Sequence, residues 1–123
     1  MNPKKLLLTL TAVVMFVTPA TAGDAALGQK VFNKCKACHE AADVKNKVGP
    51  GLKGLFGRKA GSVEGYAYSD AMKNSGITWG EDTLKAYLTD PKAVVPGGKM
   101  SFAGLKKEEE IENIIAYLEE ATK

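Results

Sequence analysis

Both cysteines and the single histidine of this 123-residue chain fall within five consecutive positions, Cys35-Lys36-Ala37-Cys38-His39. This concentration limits the chemistry open to the chain. A structural zinc site needs four ligands, and two Cys and one His cannot supply them alone. Two cysteines allow one disulfide at most, which excludes a disulfide-stapled scaffold. Any catalytic triad that requires a histidine has one candidate.

The C-x-x-C-H spacing is typical of a covalent haem attachment site. Two cysteines three positions apart on a helical turn face one side, so their sulfurs reach the two vinyl groups of one haem. The adjacent imidazole of His39 then points at the iron. A thioredoxin-like dithiol also uses C-x-x-C, but it requires a β-α-β context, and the sequence has no alternating strand pattern. A plain structural disulfide is the other alternative, and it leaves the loop-rich middle of the chain unexplained.

The N-terminal residues have the pattern of a secretory signal peptide. Two lysines precede an uncharged, mostly apolar run at 6–17, and the small-residue motif Ala20-Thr21-Ala22 predicts cleavage directly after it. We therefore expect residues 1–22 to be removed and 23–123 to form one domain, exported to the periplasm. The alternative is a retained membrane anchor, for which an apolar run of 12 residues is well short of the ~20 that span a bilayer.

Two segments of the expected domain have helical periodicity. Gly28, Val31, Phe32 and Cys35 follow the i, i+3, i+4, i+7 pattern after a candidate N-cap at Asp24. The same spacing recurs near the C-terminus in Ile111, Ile114, Ile115 and Leu118. A glycine on an apolar helix face lowers stability unless it has a packing use. We therefore expect Gly28 to mark a close crossing with the terminal helix.

The middle of the chain predicts loops and short helices. Seven glycines and prolines fall within the 17 positions 49–65, which disfavours regular structure. Short helices are expected at 69–74 and 81–88, and Pro91 either ends the second or starts a further turn at Asp90. Loops this long are unusual unless functional, and we expect them to wrap a cofactor. The sequence predicts a small all-α domain.

A second iron ligand must come from a residue other than histidine, because His39 is the only one. The expected mature chain has two methionines, Met72 and Met100, and a thioether is an established axial ligand of haem iron. Met100 follows the turn signal Pro96-Gly97-Gly98 and lies in a loop. Met72 falls in a predicted short helix, where core packing is its ordinary role. Local context favours Met100 and leaves Met72 as the alternative.

From Gly23 to Lys123 the chain resembles the class I cytochromes c, most closely the cytochrome c2 group of purple bacteria, and it is similar to mitochondrial cytochrome c. The matching strings are CKACH, VGPGLKGLFGRKAG, YSDAMKNSGITW, DPKAVVPGGKM and IIAYLEEATK. The resemblance covers essentially the whole mature chain. It implies the small single-domain cytochrome c fold, with three to five helices and long loops wrapped around one covalently bound haem c.

The resemblance also implies a set of haem-binding residues, with His39 and Met100 as the proximal and distal iron ligands. The carbonyl of Pro50 is expected to accept a hydrogen bond from the free ring nitrogen of His39, which orients the ring. Tyr87 is expected to donate to the Met100 sulfur, and Phe102 to lie beside the exposed haem edge. The full implied set is Cys35, Cys38, His39, Pro50, Arg58, Tyr68, Trp79, Tyr87, Met100 and Phe102.

In the same comparison Arg58, Tyr68 and Trp79 resemble the group that holds the haem propionates. A buried carboxylate needs a charged partner or hydrogen-bond donors. Core packing is the alternative role for each aromatic residue. The chain departs from the family at Met72, where mitochondrial relatives usually have Asn, and at Gly98, where Thr is common. Both departures change the polar network that we expect around the haem.

Charge is unevenly distributed along the chain. The formal net charge of +3 is too small to indicate nucleic-acid binding, and it falls to +1 without the two leader lysines. Glutamates crowd the C-terminal helix. The resemblance places a group of lysines around the exposed haem edge, where they would dock acidic partners: Lys34, Lys45, Lys47, Lys92, Lys99, Lys106 and Lys107.

The expected function is electron transfer rather than catalysis. Iron with two protein ligands leaves a substrate no easy access and changes little between its oxidation states. The implied donor is a quinol–cytochrome c oxidoreductase, and the implied acceptor is a photosynthetic reaction centre or a terminal oxidase. We expect a monomer that binds no nucleic acid and does not insert stably into a membrane. The alternatives are a haem peroxidase or gas sensor with Met100 displaced, and a carrier or oxidase subunit tethered by a retained leader.

Overall fold

A computed structural model describes residues 8–15 and 23–123. Across these residues the chain forms helices and loops, and its extended segments pair only at one isolated antiparallel bridge, between Lys59 and Thr78. The all-α prediction of three to five helices is confirmed. The helices are α1 (Ala25–Phe32), α2 (Asp70–Lys73), α3 (Glu81–Thr89), α4 (Pro91–Val94) and α5 (Glu108–Ala121).

The N-terminal leader is described only in part. Residues 8–15 have no regular secondary structure, and their large apolar side chains are exposed. The predicted cleavage motif Ala20-Thr21-Ala22 lies outside the described residues, so the signal-peptide assignment stays a prediction. No helix within the described ranges has the length and apolar character needed to cross a membrane.

Side-chain caps fix where three of the helices begin. Asp24, Ser69 and Asp90 each accept a hydrogen bond from the backbone N–H three residues later, at 3.1, 3.1 and 3.2 Å. Such a bond satisfies one of the N–H groups that a helix N-terminus leaves free. Pro91 both stops α3 and occupies the first turn of α4. Helix α1 ends at Phe32, so Cys35 lies beyond it, in the turns that follow.

Helices α1 and α5, from opposite ends of the chain, cross at Gly28. A Cβ atom on Gly28 would lie 2.6 Å from the carbonyl carbon of Asn113 and 2.7 Å from Cβ of Tyr117, so the backbones meet where only glycine fits. The buried side chain of Asn113 accepts a 2.8 Å hydrogen bond from the N–H of Asp24. The close crossing predicted from the sequence is confirmed.

The helices surround a space that their own side chains do not fill. Buried residues of α1, α3 and α5, among them Phe32, Leu84, Ile114 and Leu118, form one wall of this space. The loops before α2 and between α4 and α5 form the rest. With about 100 residues in the domain the core is modest, and the fold places its centre around a cavity.

Candidate haem site

The cavity at the centre of the fold has a volume of about 440 Å³. Apolar side chains make up most of its wall, with a few polar groups among them. All ten haem-binding residues expected from the resemblance line this one cavity, although they are spread over 68 positions of the chain, from Cys35 to Phe102. Such an apolar pocket with convergent polar groups is typical of a cofactor site.

The cysteine-containing segment forms helical turns that continue from the end of α1. The N–H of Cys35 donates to the carbonyl of Phe32 at 2.8 Å, and the N–H of His39 donates to the carbonyl of Cys35 at 3.0 Å. Both cysteines are half-buried free thiols at the cavity wall. Burial raises the pKa of the Cys35 thiol, and the neighbouring Cys38 adds to this effect. The Cys35 sulfur is therefore presented to the cavity as a thiol.

The imidazole of His39 is held in one orientation by the backbone. Its Nδ1 lies 2.8 Å from the carbonyl oxygen of Pro50. Because a carbonyl only accepts, Nδ1 carries the proton, which leaves the lone pair of Nε2 free to bind a metal. Burial lowers the pKa of His39; the bond to Pro50 opposes this effect, while the positive charges of Arg58 and Lys47 reinforce it. The ring therefore favours the neutral form that a metal requires.

Gly49 allows the chain to pass close to this ring. A Cβ atom there would lie 2.8 Å from both nitrogens of His39, so any larger residue displaces the imidazole. The N–H of Gly49 donates to the carbonyl of Cys38 at 2.8 Å, which ties the loop to the attachment segment. Gly49 was missed in the sequence analysis, where it counted only as one of several loop glycines.

Met100 lies in the loop after α4 and has one polar contact at its sulfur. The Tyr87 hydroxyl lies 3.9 Å from Sδ, within the range of a hydrogen bond to sulfur. Burial raises the pKa of Tyr87 above its ordinary value of 10.0, so the phenol keeps the proton it donates. The Tyr87 ring packs against Trp79, with ring centroids 5.0 Å apart. Met72 also lines the cavity, from α2, so cavity position alone does not separate the two methionines.

Three further side chains with hydrogen-bond donors line the cavity, namely Arg58, Tyr68 and Trp79. Arg58 Nη1 donates to the carbonyls of Gly51 and Lys53, at 3.1 and 3.2 Å. The hydroxyl oxygen of Tyr68 accepts from the N–H of Val63 at 3.2 Å. Burial raises the pKa of Tyr68, so its own proton stays available for donation into the cavity. With the buried indole of Trp79, these groups match what a propionate needs.

Comparison with known proteins agrees with this geometry. The family model described as Cytochrome c matches residues 25–122. The chain belongs to the cytochrome c family. A cytochrome c2 of Blastochloris viridis is 52% identical over 118 residues, covering 95% of this chain and 93% of that protein. A cytochrome c-550 of Nitrobacter winogradskyi is 59% identical over 102 residues, covering 82% and 94%. The solved structure of cytochrome cH from Methylobacterium extorquens superposes with a TM-score of 0.74 at 54% identity, covering 79% of this chain and 98% of that one.

Haem c is therefore the cofactor of this cytochrome, attached through Cys35 and Cys38. The residues present fit the group, because the cavity has an apolar wall, two thiols at one side and a preset imidazole. The relatives are electron-transfer haem proteins rather than enzymes. This overturns the peroxidase and gas-sensor alternatives and the plain structural disulfide.

Two loops beside the haem cavity of this cytochrome are joined by side chains that the sequence analysis missed. Asn46 accepts from the N–H of Gly51 and donates to the carbonyl of Glu64, both at 3.1 Å. The Tyr66 hydroxyl donates to the carbonyl of Val48 at 2.6 Å. The bonds to the carbonyls of Glu64 and Val48 each connect positions 18 residues apart in the chain. No local pattern indicates them, because any backbone carbonyl accepts a hydrogen bond equally well.

The predicted docking lysines have different surroundings in the structure. Lys34 lies 3.5 Å from Glu110, and Lys47 bonds to Glu40 and to the carbonyl of Lys36. Of the group, Lys34 and Lys99 line the cavity. The Lys99 and Lys106 ammonium groups donate to backbone carbonyls, while Lys45, Lys92 and Lys107 are exposed. The docking role of these lysines stays a prediction.

Proposed function

We propose that this cytochrome is a soluble periplasmic carrier that moves one electron at a time through a haem c ligated by His39 and Met100. In this proposal a quinol–cytochrome c oxidoreductase is the donor, and a photosynthetic reaction centre or a terminal oxidase is the acceptor. The observation that supports it best is the single cavity that collects both thiols, the preset His39 ring and the Met100 sulfur. Names of relatives such as cytochrome c2 and c-550 agree with a carrier.

The bound haem supplies a one-electron couple between ferric and ferrous iron, and the chain supplies everything else. Cys35 and Cys38 hold the group covalently. Nε2 of His39 would hold the iron, because the Pro50 carbonyl accepts the proton of Nδ1 and leaves Nε2 unprotonated. A Met ligand and burial both favour the ferrous state. With His39 and Met100 both holding the iron, the site would leave a substrate no open position on the metal.

Met100 is assigned as the second ligand through Tyr87. The Tyr87 hydroxyl fixes the orientation of the Met100 sulfur at 3.9 Å, which leaves the other sulfur lone pair for the iron. Arg58, Tyr68 and Trp79 are assigned to the propionates, because all three line the cavity and each carries a hydrogen-bond donor. Phe102 closes the wall on the side of the Met100 loop.

The spectrum of the ferric protein tests the ligand assignment. A weak far-red band reports sulfur bound to ferric iron, and we expect it in the wild type. Met100→Ala should abolish the band and give a high-spin spectrum, because no other side chain is aimed by Tyr87. Met72→Ala is the matched control, since it removes a second thioether from the same cavity and should keep the band. A band that survives in Met100→Ala and disappears in Met72→Ala would reverse the assignment.

The remaining parts of the proposal have separate tests. Mass spectrometry of the purified protein tests the leader. A mass equal to residues 23–123 plus one haem supports an exported carrier without a tether, whereas a retained leader supports a membrane-attached one. Second-order rates with a quinol–cytochrome c oxidoreductase should fall as ionic strength rises if the lysines steer an acidic partner. A flat or rising salt profile would contradict that steering. Rates with purified reaction centre and oxidase would distinguish the two acceptors.

A further inference from the structure

The attachment turn, residues 35–39, contains a carbonyl group that the backbone does not satisfy. The carbonyl of Cys35 accepts from the N–H groups of Cys38 and His39, at 3.1 and 3.0 Å. The carbonyl of Lys36, by contrast, accepts from no backbone N–H within the described residues. Such open carbonyls are usual where helical turns end, and a lysine side chain can satisfy them.

The side chain of Lys47 satisfies the Lys36 carbonyl. Its Nζ donates to that oxygen at 2.8 Å and to the Glu40 carboxylate at 3.1 Å. Only 27% of the Lys47 side chain is exposed, against 44% for Glu40, so the lysine lies along the turn rather than extending into solvent. A hydrogen bond from a charged donor is stronger than one between neutral groups. Lys47 therefore fastens the turn at a point where the backbone does not.

The loop that carries Lys47 contacts the same turn through its backbone. The N–H of Lys47 donates to the carbonyl of Gly49 at 2.9 Å, and the N–H of Gly49 donates to the carbonyl of Cys38 at 2.8 Å. Nδ1 of His39 lies 2.8 Å from the carbonyl oxygen of Pro50, in the same loop. The position of the Lys47 side chain is therefore fixed from its own backbone, and the loop and the turn form one connected unit.

Lys47 also offsets a negative charge next to the expected iron ligand. Glu40 directly follows His39 in the chain. Ferric iron carries one more positive charge than ferrous iron, so an unpaired carboxylate nearby would favour the ferric state. The ammonium group of Lys47, 3.1 Å from this carboxylate, opposes that preference.

We propose that Lys47 is a positioning residue of the haem site, which fastens the attachment turn through the Lys36 carbonyl and balances the Glu40 charge beside His39. The charge balance rests on the proposed ligation of the iron by His39 and Met100. This role takes Lys47 out of the docking group that the resemblance implies, because its ammonium group is already engaged within the chain. The two effects are separable, because Glu40→Gln removes the charge pair and keeps the bond to the carbonyl.

Covalent haem attachment tests the fastening. Each variant is produced in a host that attaches haem c, and mass spectrometry gives the fraction of chains that carry it. We expect Lys47→Ala to lower this fraction about 2- to 5-fold, the effect of one lost hydrogen bond, and Lys47→Arg to restore it. Glu40→Gln should match the wild type. Lys45→Ala is the matched control, because the exposed Lys45 side chain lies in the same loop and forms no hydrogen bond with the described residues.

The reduction potential of the haem-loaded molecules tests the charge balance in a way that a merely structural role would not reproduce. Lys47→Ala should shift the ferric–ferrous equilibrium toward ferric about 2- to 4-fold, as expected for one partly screened charge. Glu40→Gln should shift it about equally toward ferrous. The double variant Lys47→Ala/Glu40→Gln should return to within about 1.5-fold of the wild type, because the two charges offset each other. Lys45→Ala should also stay within about 1.5-fold, because solvent screens an exposed charge.

Equal attached fractions in Lys47→Ala and Lys45→Ala would overturn the fastening. A double variant that keeps the full shift of Lys47→Ala would overturn the charge balance. Failure of the proposed ligation is recognised separately, because the wild-type ferric protein would then lack the low-spin spectrum with its far-red band. The attached fraction does not depend on that ligation and would still decide whether Lys47 fastens the turn.

Discussion

Replacing Gly28 with alanine should separate the two helices that join the ends of the domain. The new Cβ would lie 2.6 Å from the carbonyl carbon of Asn113, whereas ordinary contact begins near 3.4 Å. Both obstacles, this carbonyl and Cβ of Tyr117, are rigid atoms of α5 rather than the ends of flexible side chains. The helices must therefore move apart by about 0.8 Å or more, taking the difference of those two distances.

The expected cost follows from three contributions. Overpacking against backbone costs about 1–3 kcal/mol, and the upper value applies here because nothing can rotate away. Loosening the 2.8 Å bond between Asn113 and the Asp24 N–H costs about 1 kcal/mol more. Alanine returns about 1 kcal/mol through its higher helix propensity. The free energy of unfolding should fall by about 3 kcal/mol.

Guanidinium denaturation of the haem-loaded protein measures this loss. With a slope of about 3 kcal/mol per molar, the midpoint of Gly28→Ala should drop by about 1 M. Gln29→Ala is the matched control, because position 29 is exposed on the same helix and gains only helix propensity. That variant should stay within about 0.5 kcal/mol of the wild type. A Gly28→Ala midpoint equal to that of Gln29→Ala would refute the close crossing.

Two further substitutions test the loops around the haem. Gly49→Ala should displace the His39 ring, since its Cβ would lie 2.8 Å from both ring nitrogens. Haem attachment, measured by the absorbance of the purified protein, should therefore fall. An unchanged yield and spectrum would contradict this account. Tyr66→Phe should lower the free energy of unfolding by about 0.5–1 kcal/mol, because the exposed carbonyl of Val48 exchanges the Tyr66 donor for water. Tyr117→Phe is the control for Tyr66→Phe, since the Tyr117 hydroxyl forms no hydrogen bond with the described residues, and equal losses in the two variants would argue against the loop contact.

Much of this fold is predictable because its determinants are local. A cap at Asp24, Ser69 or Asp90 needs only a short polar side chain three residues before a backbone N–H, and this spacing is visible in the sequence. The C-x-x-C-H motif likewise carries its geometry within five residues. The close helix crossing at Gly28 is predictable because a glycine on an apolar helix face has few uses other than a close approach.

Other parts of the site depend on contacts that no spacing encodes. Asn46 and Tyr66 reach carbonyls 18 residues away, and carbonyls carry no sequence signature. Lys47 matched a docking position by resemblance, but in the structure its ammonium group bonds to Glu40 and to a carbonyl of the attachment turn. The sequence shows that a lysine is positively charged, but it does not show which group of the folded chain that charge contacts. The C-x-x-C-H motif and local context favour His39 and Met100 as iron ligands, whereas the residues expected around the haem outside the motif follow only from the family resemblance.

The packing of α1 against α5 also brings the two ends of the domain together. Gly23 lies against the backbone of Glu112, in the first half of α5. At about 1.5 Å of rise per helical residue, Lys123 lies roughly 16 Å farther along, a gap that five or six extended residues span. The two ends of the domain thus close it by noncovalent contacts, and Phe32 of α1 and Ile114 of α5 both line the cavity. Gly23, where the predicted leader would join the domain, lies at this contact, and neither Gly23 nor Glu112 lines the haem cavity.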